Sequence, residues 1–587
     1  MAQLSLSMIP ATTELSVLRR SLRSFLAEID EPADDWLLIA TELVTNAIAA
    51  APNETEIQVE LNVEARRISL RVVDMGRGFQ LHPKVYVPPS DERGRGLMMV
   101  NALADDFSVS IEEGRTIATA SKRRIDDDSV LAEKLEDGRP IRRVDVAVIG
   151  LGSAGEAVAR ELSQAGCSVV GFENNRIGGE CPFVACMPSK SLLVDAHAAR
   201  DHDDPRSAWP AAVERRDRIV NGRDDSEHLR GLVDVGVEVV RSTARLVGEH
   251  QVEADSTVWH ADHVVLATGS SPVFPDIAGL QSDRAWSPFD ALSATTRPER
   301  VGIIGAGPVG CELADVYKSF GSEVVLLDHS DRLLPDHDAA VAHRFEEGLR
   351  SLGIDLQLGV EVDNIRHGGD ADEITHSGPS GRTTMAVDQI IVAAGQAPRL
   401  PDLGLETIGL DPQDLPALDE NRRLSGTSWL SMIGDLNEEN PWTHGANRDA
   451  AIVAGAILGS PWTTTGSAMP RATFTEPAAA HVGRAATAEN DLIRGVGTLA
   501  DIARSSTDEL DDGIVVVAVD PATGVVVGCS AVGPLADELI ATATSLVHFE
   551  IPIERARTQV FAFPTISQVL EAAIADAADQ FIEHTGV

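Results

Sequence analysis

The 587-residue sequence predicts an α/β protein of several domains, and three observations support this. From Val144 to about residue 455, apolar strand patterns alternate with helical patterns, which is typical of parallel βαβ units. Within this stretch a strand, a glycine-rich turn and a helix occur twice, about 155 residues apart, which indicates a duplicated domain. Residues 1–120 form an α/β segment of their own. The final stretch, about 468–587, has an α+β pattern, with strands near 513–519 and 524–532 and helices near 536–548 and 567–578.

Charge and hydropathy narrow the classes of partner. The chain has 49 basic and 91 acidic residues, a net charge of −42, with an ordinary apolar fraction of 43%. A broad basic surface for nucleic acid or anionic membranes is therefore not expected. The start, Met1–Pro10, carries no signal-peptide pattern, and the longest apolar run, near 450–459, is half of the roughly 20 residues that span a bilayer. We expect a soluble cytoplasmic protein that binds neither nucleic acid nor membrane.

A charged segment separates the first domain from the rest. Residues 121–143 read SKRRIDDDSVLAEKLEDGRPIRR and end near Pro140. This composition predicts a linker with some helix. The strand-like run VDVAVIG at 144–150 then opens the next domain.

The first glycine-rich turn is Gly150-x-Gly152-x-x-Gly155. Its first glycine makes the tight turn, the second lets a pyrophosphate approach the backbone, and the third allows close packing of helix on strand. A second strand, near Cys167–Glu173, ends in an acid 23 residues after Gly150 that can accept hydrogen bonds from a ribose.

The second turn repeats this arrangement as Gly305-x-Gly307-x-x-Gly310, with Asp328 as its acid. One such turn could belong to any βα unit, but two copies with strand, helix and acid in place predict two dinucleotide sites. Asp328 favours NADH because it would repel a 2′-phosphate. His329 and Arg332 nearby are basic and oppose that preference.

Two cysteines lie close together in the segment GGECPFVACMPSK, residues 178–190. At the start of a helix, Cys181 and Cys186 would point to one side, and the helix dipole would favour a thiolate. Two buried structural cysteines are the alternative. A zinc site is less favoured because neither a second cysteine pair nor a nearby histidine is present in the sequence. Cys167, Cys311 and Cys529 lie in or beside apolar runs and are expected in the core.

Residues 144–580 resemble the class I pyridine nucleotide–disulfide oxidoreductases, such as dihydrolipoamide dehydrogenase, glutathione reductase and mercuric reductase. The resemblance covers about three quarters of the chain, and its motifs appear in order. They are the two glycine fingerprints, the cysteine segment, Ala267-Thr268-Gly269, Ala394-Gly395, Gly434-Asp435, His444-Gly445-Ala446 and Phe474-Thr475-Glu476-Pro477.

The resemblance implies a mechanism in which NADH or NADPH reduces FAD and FAD reduces a Cys181–Cys186 disulfide. It implies that Cys186 is the flavin-side thiol, that Cys181 attacks the substrate, and that Lys190 and Glu312 form an ion pair near the flavin. Asp435 would hold the ribityl chain. Further implied cofactor contacts come from the motifs, namely Gly150, Gly152, Gly155, Glu173, Gly179, Thr268, Gly269 and Gly434 for FAD, and Gly305, Gly307, Gly310, Asp328 and Gly395 for NAD(P)H.

The resemblance also implies the domain organisation. Residues 144–296 and 398–465 would form a discontinuous Rossmann-like FAD domain, 297–397 a Rossmann-like NAD(P)H domain, and 466–587 an α+β dimerisation domain. We therefore expect a homodimer. The alternative is that the last domain packs within its own chain.

The chain departs from the family pattern at its C-terminal motif and in the cysteine segment. The family's closing His-x-His-Pro-Thr-x-x-Glu corresponds here to residues 561–568, with Phe563 in place of the acid–base histidine and Gln568 in place of the glutamate. Because phenylalanine cannot transfer a proton, lipoamide or glutathione chemistry is less favoured, although a disulfide stays among the acceptors considered. A metal ion, a quinone or another accessible acceptor fits better. Glu180 and Pro182-Phe183 also replace the usual Thr and Leu-Asn.

The N-terminal segment carries three ordered motifs that resemble the histidine-kinase-like ATPase fold of bacterial anti-sigma factor kinases, an α/β-sandwich. Asn46 on a helical pattern would hold Mg²⁺ of an ATP complex, and Glu42, four residues earlier, would be the base. The pair could instead be the solvated side of a helix. Asp74, followed by Gly76 and Gly78, would read the adenine, and Gly94 and Gly96 would bring backbone N–H groups to phosphate. The resemblance implies a possible sigma factor or anti-anti-sigma partner for residues 1–120.

Two functional hypotheses follow. The first is an FAD- and NAD(P)H-dependent oxidoreductase with an appended ATP-binding module. The second is a redox-sensing regulator in which the flavoprotein controls an anti-sigma-like domain.

Overall fold

The computed structural model describes most of the chain. The described residues are 2–9, 11, 14–29, 33–50, 55–63, 67–75, 100, 104, 106–112, 115–123, 133–134, 140–281, 283–437, 439, 441–460, 468–487, 491–510 and 512–586. They form two compact units, Met1–Arg142 and Arg143–Val587. Neither unit, in its described residues, contains a helix that is long and apolar enough to cross a bilayer.

In its described residues, the first unit has one antiparallel sheet and two helices, α1 and α2. Its five strands lie in the order β1-β2-β3-β5-β4. They are β1 (Ala2–Met8), β2 (Ile57–Val63), β3 (Arg67–Asp74), β4 (Asp106–Glu112) and β5 (Arg115–Arg123), and the helices are α1 (Leu15–Glu28) and α2 (Asp34–Ala50). Buried side chains alternate along β2, and Leu18, Leu22 and Leu26 form one buried face of α1 in the same core. The α/β-sandwich predicted here is observed.

The segment 121–143, predicted as a charged and partly helical linker, is extended where the structure describes it. Strand β5 runs to Arg123, β6 covers Glu133–Lys134, and β7 begins at Pro140 and ends at Ile149. The pairing of β5 with β3 from Thr116 to Arg123 explains the difference at the first end, because a ladder of backbone hydrogen bonds overrides local propensity.

The second unit begins with an α/β subdomain. Its sheet has the order β10-β11-β12-β7-β8-β9, with β22 beside β12 and β6 beside β7. The further strands are β8 (Val169–Phe172), β9 (Glu238–Val240), β10 (Arg245–Gly248), β11 (Gln251–Ala254), β12 (Thr257–Leu266) and β22 (Leu430–Met432). The helices are α3 (Ser153–Gln164), α4 (Cys186–Ala199), α5 (Trp209–Ile219), α6 (Ser226–Val233) and α10 (Thr443–Ile457). The strands β7, β8 and β9 are parallel, as the βαβ pattern predicts.

A fully parallel sheet, in the order β16-β15-β14-β20, repeats the arrangement of β7, β8 and β9. Its strands are β14 (Arg300–Ile304), β15 (Glu323–Asp328), β16 (Asp355–Leu358) and β20 (Gln389–Val392), with helices α7 (Pro288–Ser293), α8 (Pro308–Ser319) and α9 (Ala339–Ser351). An antiparallel sheet of β17 (Glu361–Arg366), β18 (Asp372–Gly378) and β19 (Gly381–Val387) accompanies it. The ribbon of β13 (Ser270–Pro272) and β21 (Gln396–Pro398) lies where the chain passes between the two subdomains.

The C-terminal subdomain is an antiparallel sheet in the order β23-β24-β27-β26-β25, packed with helices. Its strands are β23 (Arg471–Thr473), β24 (Ala478–Gly483), β25 (Ile493–Thr498), β26 (Ile514–Val519) and β27 (Val526–Gly533). Its helices are α11 (Ala503–Asp508), α12 (Ala536–His548), α13 (Ile553–Ala556) and α14 (Gln568–Thr585). The strands and helices predicted for this stretch are confirmed, and so is the α/β fold class of the chain.

Candidate active site

The cysteine pair lies at the N-terminal end of α4. Cys186 is the first residue of that helix, whereas Cys181 lies in the turn before it, so the prediction that both begin the helix holds for Cys186 alone. Both thiols are half-buried and free. A hydrogen bond from the Cys181 thiol, helped by Thr443 and the charge of Lys190, lowers the pKa of Cys186 to about 6. The same hydrogen bond and burial raise the pKa of Cys181. The reduced pair therefore favours a thiolate on Cys186 and a thiol on Cys181.

Thr443 is the hydroxyl shared by this pair. Its Oγ1 lies 3.3 Å from the Sγ of Cys181 and 3.5 Å from the Sγ of Cys186. Thr443 is the first residue of α10. Both sulfurs are thus hydrogen-bonded to a side chain more than 250 residues away in the sequence.

Lys190 and Glu312 form the ion pair that the resemblance implies. The Nζ of Lys190 lies 2.9 Å from Oε1 and 2.7 Å from Oε2 of Glu312. Glu312 is buried and also accepts hydrogen bonds from the Ser189 hydroxyl at 2.8 Å and the Phe474 backbone N–H at 3.1 Å. The Lys190 ammonium lies 4.5 Å from the centroid of the Phe474 ring. This carboxylate therefore joins the cysteine helix to the start of the C-terminal subdomain.

A second buried carboxylate, Asp315, lies one turn further along α8 and holds the other end of the cysteine helix. It accepts hydrogen bonds from Ser319 Oγ at 2.9 Å and from the backbone N–H of Glu476 at 2.9 Å. His197 Nε2 lies 3.1 Å from it, and the Arg200 guanidinium bonds it as well. Burial raises the pKa of Asp315, but the bond to His197 and the charge of Arg200 outweigh burial and lower it. α4 is thus fixed on α8 at both of its ends.

The first glycine turn forms a tight cradle at the N-terminus of α3. A Cβ on Gly155 would lie 1.9 Å from the carbonyl oxygen of Gly150, and a Cβ on Gly179 would lie 2.7 Å from the Cα of Gly152. The close approach of the turn to the cysteine segment therefore requires glycine. Glu173 follows β8, and its two oxygens accept the backbone N–H groups of Leu151 and Asn175, both at 2.8 Å. This cradle is the shape that a dinucleotide pyrophosphate needs.

The remaining residues assigned to this cofactor lie around the β13–β21 ribbon. Asp435 lies 3.3 Å from the hydroxyl of Ser270, and burial raises the pKa of Asp435. Thr268 donates to the carbonyl of Arg399 at 3.0 Å, and Arg399 N–H donates to the carbonyl of Gly269 at 2.9 Å. Gly434 takes a positive φ of 68° at the end of β22, beside Asp435.

Glu180, one of the departures from the family segment, has a partner in this region. Its carboxylate bonds the Arg399 guanidinium, which also donates to Ser271 Oγ at 2.7 Å. Burial raises the pKa of Glu180, and the charges of Asp435 and Glu173 add to that effect. Arg399 is therefore the countercharge for a group of acids at the first dinucleotide cradle.

The second glycine turn has the same geometry as the first. A Cβ on Gly310 would lie 1.9 Å from the carbonyl oxygen of Gly305, and Gly307 begins α8 with open space around it. Asp328 ends β15, and its oxygens accept the N–H groups of Ala306 at 2.6 Å and Ser330 at 2.8 Å. Gly395 follows β20 with a positive φ of 108° and open space beside its Cα. Two dinucleotide cradles thus lie in one compact unit with a cysteine pair.

Comparison with known families agrees with this geometry. A family model described as pyridine nucleotide-disulphide oxidoreductase matches residues 144–451, more than half of the chain. The corresponding dimerisation domain matches residues 469–574. The chain belongs to the pyridine nucleotide–disulphide oxidoreductase family. It is a member of the NAD(P)H-dependent flavoprotein disulfide reductases, with an additional N-terminal domain, since a histidine kinase-like ATPase domain matches residues 9–122.

The relatives of this disulfide oxidoreductase include enzymes with different substrates. The dihydrolipoyl dehydrogenase of Haloferax volcanii is 28% identical over 467 residues, which cover 75% of this chain and 97% of the relative. The mercuric reductase of Acidithiobacillus ferrooxidans is 26% identical over 465 residues, covering 75% of this chain and 83% of that protein. The fold is shared with the copper(II) complex of the HOCl-induced flavoprotein disulfide reductase RclA of Escherichia coli. That match has a TM-score of 0.66 and 24% identity, over 74% of this chain and 99% of RclA.

The C-terminal motif of this oxidoreductase lacks an acid–base group at the positions that the resemblance assigns. Phe563 is exposed, and Gln568 begins α14, where its Oε1 accepts the N–H of Thr565 at 3.4 Å. The side chain at the expected histidine position is therefore a solvent-facing phenyl ring that cannot transfer a proton.

In the N-terminal ATPase-like domain, the residues predicted to bind nucleotide and Mg²⁺ lie on two elements. Glu42 and Asn46 are half-buried, one turn apart on α2, and Asp74 is buried at the end of β3. The other residues predicted to bind the nucleotide lie outside the described residues, namely Gly76, Gly78, Gly94 and Gly96. The nucleotide and Mg²⁺ assignments in this domain stay predictions.

Three side chains of the site were not predicted from the sequence, namely Thr443, Asp315 and Arg399. Thr443 directly precedes His444-Gly445-Ala446, one of the motifs that carry the resemblance, but the motif itself assigns no role to the Thr443 hydroxyl. Asp315 lies three residues after Glu312 on a helical pattern, which would have placed both carboxylates on one face of α8.

Proposed function

We propose that this chain is an NADH:acceptor oxidoreductase that passes electrons from NADH to an external acceptor, with FAD and a Cys181–Cys186 disulfide as successive electron carriers. The observation that carries the proposal is the cysteine pair, bonded to Thr443 and one turn from the Lys190–Glu312 pair, in the unit that holds both glycine cradles. The assignments of 144–296 with 398–465 to FAD, 297–397 to NAD(P)H and 466–587 to dimerisation belong to this proposal.

The first cradle fits FAD. Its glycines would receive the pyrophosphate, Glu173 would accept from a ribose, and Arg399 would balance the added negative charge. FAD when bound supplies hydride acceptance from the nicotinamide and electron transfer to the disulfide. The protein's part is to hold Cys186 as a thiolate, through the Cys181 and Thr443 hydrogen bonds and the charge of Lys190.

NADH is favoured over NADPH at the second cradle. Asp328 is fixed at the end of β15 by two backbone N–H groups, so its negative charge stays where a 2′-phosphate would bind. Arg332, one of the two basic residues that oppose this preference, donates to the carbonyl oxygens of Pro335 and His337. Its guanidinium is therefore already bonded within its own loop. We expect kcat/KM for NADH to exceed that for NADPH at least tenfold.

The acceptor is proposed to be a thiophilic metal ion or a quinone. Reduction of a lipoyl or glutathione disulfide requires a general acid–base beside the cysteines, and the chain has Phe563 at that position. Mercuric reductase and the copper complex of RclA are relatives whose names include a metal ion. A metal ion accepts electrons from a thiolate pair without taking a proton, which suits this site.

The C-terminal subdomain carries exposed apolar side chains that are consistent with a homodimer. Val560 and Phe563 are 91% and 74% exposed, and Phe549 is 68% exposed on the same subdomain. These exposed side chains lie in or beside the part that matches the family's dimerisation domain, residues 469–574, which supports an interface that a partner covers. We propose that a second copy covers them and that residues 466–587 supply the contact.

The enzyme hypothesis is tested by steady-state turnover with NADH and a panel of copper(II), mercury(II), menadione and lipoamide. We expect turnover with a metal ion or the quinone and little with lipoamide. Cys181→Ser is the matched variant, because it leaves the flavin site and Cys186 in place. Loss of metal-ion turnover in this variant would support the dithiol route, and retained FAD with negligible turnover on every acceptor would refute the enzyme hypothesis.

A second candidate function is favoured by the ATPase-like domain. We propose that residues 1–120 bind ATP with Mg²⁺ through Asn46, Asp74 and Glu42, and bind a sigma factor or an anti-anti-sigma protein under redox control. The buried position of Asp74 at a strand end supports a base-reading role. Co-purification of partners with and without ATP, compared between the natural chain and Asn46→Ala, tests this. Absence of any nucleotide-dependent partner would count against it.

A further inference from the structure

The hydroxyl of Thr443 lies between the two redox sulfurs. It donates to the Sγ of Cys181 at 3.3 Å and shares a second hydrogen bond with the Sγ of Cys186 at 3.5 Å. One side chain thus contacts both reacting atoms, although it belongs to α10 and the cysteines belong to the segment around α4. The fold has brought a neutral donor–acceptor group to the position from which it can serve either sulfur.

The charges around the cysteine pair favour a neutral hydrogen-bond donor that can serve either sulfur. The reduced pair holds one proton and one negative charge, and Lys190 provides a positive charge that favours the anion on both sulfurs. His444, which follows Thr443 in the chain, has its Nε2 2.8 Å from the carbonyl oxygen of Pro470. The family position for a histidine base is Phe563, which is exposed in this chain. Among the described side chains hydrogen-bonded to these sulfurs, apart from the cysteines themselves, Thr443 is the one with a hydroxyl hydrogen to donate.

We propose that Thr443 is a further catalytic residue, whose hydroxyl donates its hydrogen bond to whichever of Cys181 and Cys186 carries the negative charge. The pair can then exchange its one proton internally, without a histidine. This inference rests on the proposed function, in which the cysteines are reduced and reoxidised in turnover. It assigns to Thr443 the proton exchange between the two sulfurs, and not proton transfer to or from a substrate.

The proton and electron balance agrees with this role. NADH delivers a hydride equivalent, two electrons and one proton, so the S–S bond breaks to one thiol and one thiolate and NAD⁺ leaves. Before reoxidation the proton moves from Cys181 to Cys186, and Thr443 turns its donated bond to the Cys181 thiolate. The acceptor then takes two electrons, the S–S bond forms again, and the remaining proton leaves to solvent. No external base is needed for the transfer between the sulfurs.

Thiol alkylation against pH tests the role of the hydroxyl directly. The full-length protein is reduced with dithiothreitol, desalted and treated with iodoacetamide between pH 5 and 9, and modification of each cysteine is located by mass spectrometry. A hydrogen bond to a charged group moves a pKa by about one unit, which changes the thiolate fraction about tenfold below both pKa values. We expect Thr443→Val to slow alkylation of Cys186 about tenfold at pH 5.5, with the difference vanishing near pH 9.

The matched control is Thr443→Ser, which keeps the hydroxyl and should keep the pH profile of the natural chain. Thr443→Ala provides a second test of hydroxyl loss if the valine variant does not fold. A profile for the valine or alanine variant that matches the natural chain would overturn the proposal. A serine variant as slow as the valine variant would also overturn it, because the hydroxyl would then not be the cause.

The assay separates this inference from the proposed function. Reduction by dithiothreitol requires neither FAD nor NADH, so the pH profile reports Thr443 whether or not NADH reduces the pair. Failure of NADH to reduce the cysteines of the natural chain would refute the proposed function. An unchanged alkylation profile in Thr443→Val would refute the role of the hydroxyl.

Discussion

Replacing Glu312 by glutamine keeps the shape of the side chain but removes a buried charge that several donors share. Its two oxygens accept from Lys190 at 2.9 and 2.7 Å, from Ser189 at 2.8 Å and from the Phe474 N–H at 3.1 Å. A glutamine retains one acceptor oxygen, and its NH₂ group must face donors. The structure therefore predicts that Glu312 matters more to stability than its lysine partner does.

The magnitude follows from burial. Removing one partner of a fully buried ion pair costs about 3–5 kcal/mol. The Lys190 side chain is 38% exposed and can turn to solvent, so we expect Glu312→Gln to lower the free energy of unfolding by about 2–3 kcal/mol. Lys190→Met should cost about 1 kcal/mol, because Glu312 keeps the Ser189 and Phe474 donors.

Chemical denaturation followed by circular dichroism measures these changes, with the double variant completing the cycle. We expect the double variant to be no less stable than Glu312→Gln, since Lys190 loses its role once the carboxylate is gone. Equal costs for the two single variants, or a double variant whose cost is their sum, would refute the hydrogen-bond arrangement described here.

Three further predictions test the cofactor sites and the core. A Cβ on Gly155 or Gly310 would lie 1.9 Å from a backbone oxygen. Gly155→Ala should therefore lose bound FAD, whereas Gly310→Ala should keep the 450 nm flavin absorbance and lose reduction of the flavin by NADH. Loss of FAD from both variants would contradict two separate cofactor sites. Burial lowers the pKa of His337 to about 3, below its unfolded value near 6.5, so its contribution to stability is complete above pH 6.5 and is lost as pH falls toward 3. His337→Leu should therefore reduce the decline in urea midpoint between pH 7 and 4.5, and an unchanged decline would count against this. Asp74→Asn should weaken ATP binding by the full chain at least tenfold, measured by calorimetry, with NADH oxidation unaltered; equal ATP affinity would refute the assignment.

Much of the fold could be predicted because its signals are local. Each glycine fingerprint lies within six consecutive residues, and the spacing of apolar residues predicts the strand before it and the helix after it. The C-terminal strands and helices also follow from periodicity, and the structure confirms them. The extended backbone at both ends of 121–143 was missed because strand pairing depends on a neighbour that composition does not reveal.

Site residues that belong to a sequence motif could be predicted. Residues that are distant in the sequence and meet only in the folded chain could not. Cys181 and Cys186 lie in a recognisable segment that begins with Gly178 and Gly179, and the resemblance paired Lys190 with Glu312 across 122 positions. The contact of Thr443 with the sulfurs spans 262 and 257 positions and depends on how α10 is placed by the sheet. Arg399 pairs with Glu180 over 219 positions, and no local pattern in the sequence indicated it.

Anaerobic titration of the purified full-length protein with NADH tests the central claim most directly. Absorbance is followed while free thiols are counted by alkylation at each step, with Cys186→Ser as the control. The account predicts that about one NADH per chain exposes two new thiols, located at Cys181 and Cys186, together with a long-wavelength thiolate–flavin band that is absent from Cys186→Ser. Bleaching of the flavin with no new thiols and no such band would contradict the account, because the cysteines would then not receive electrons from NADH.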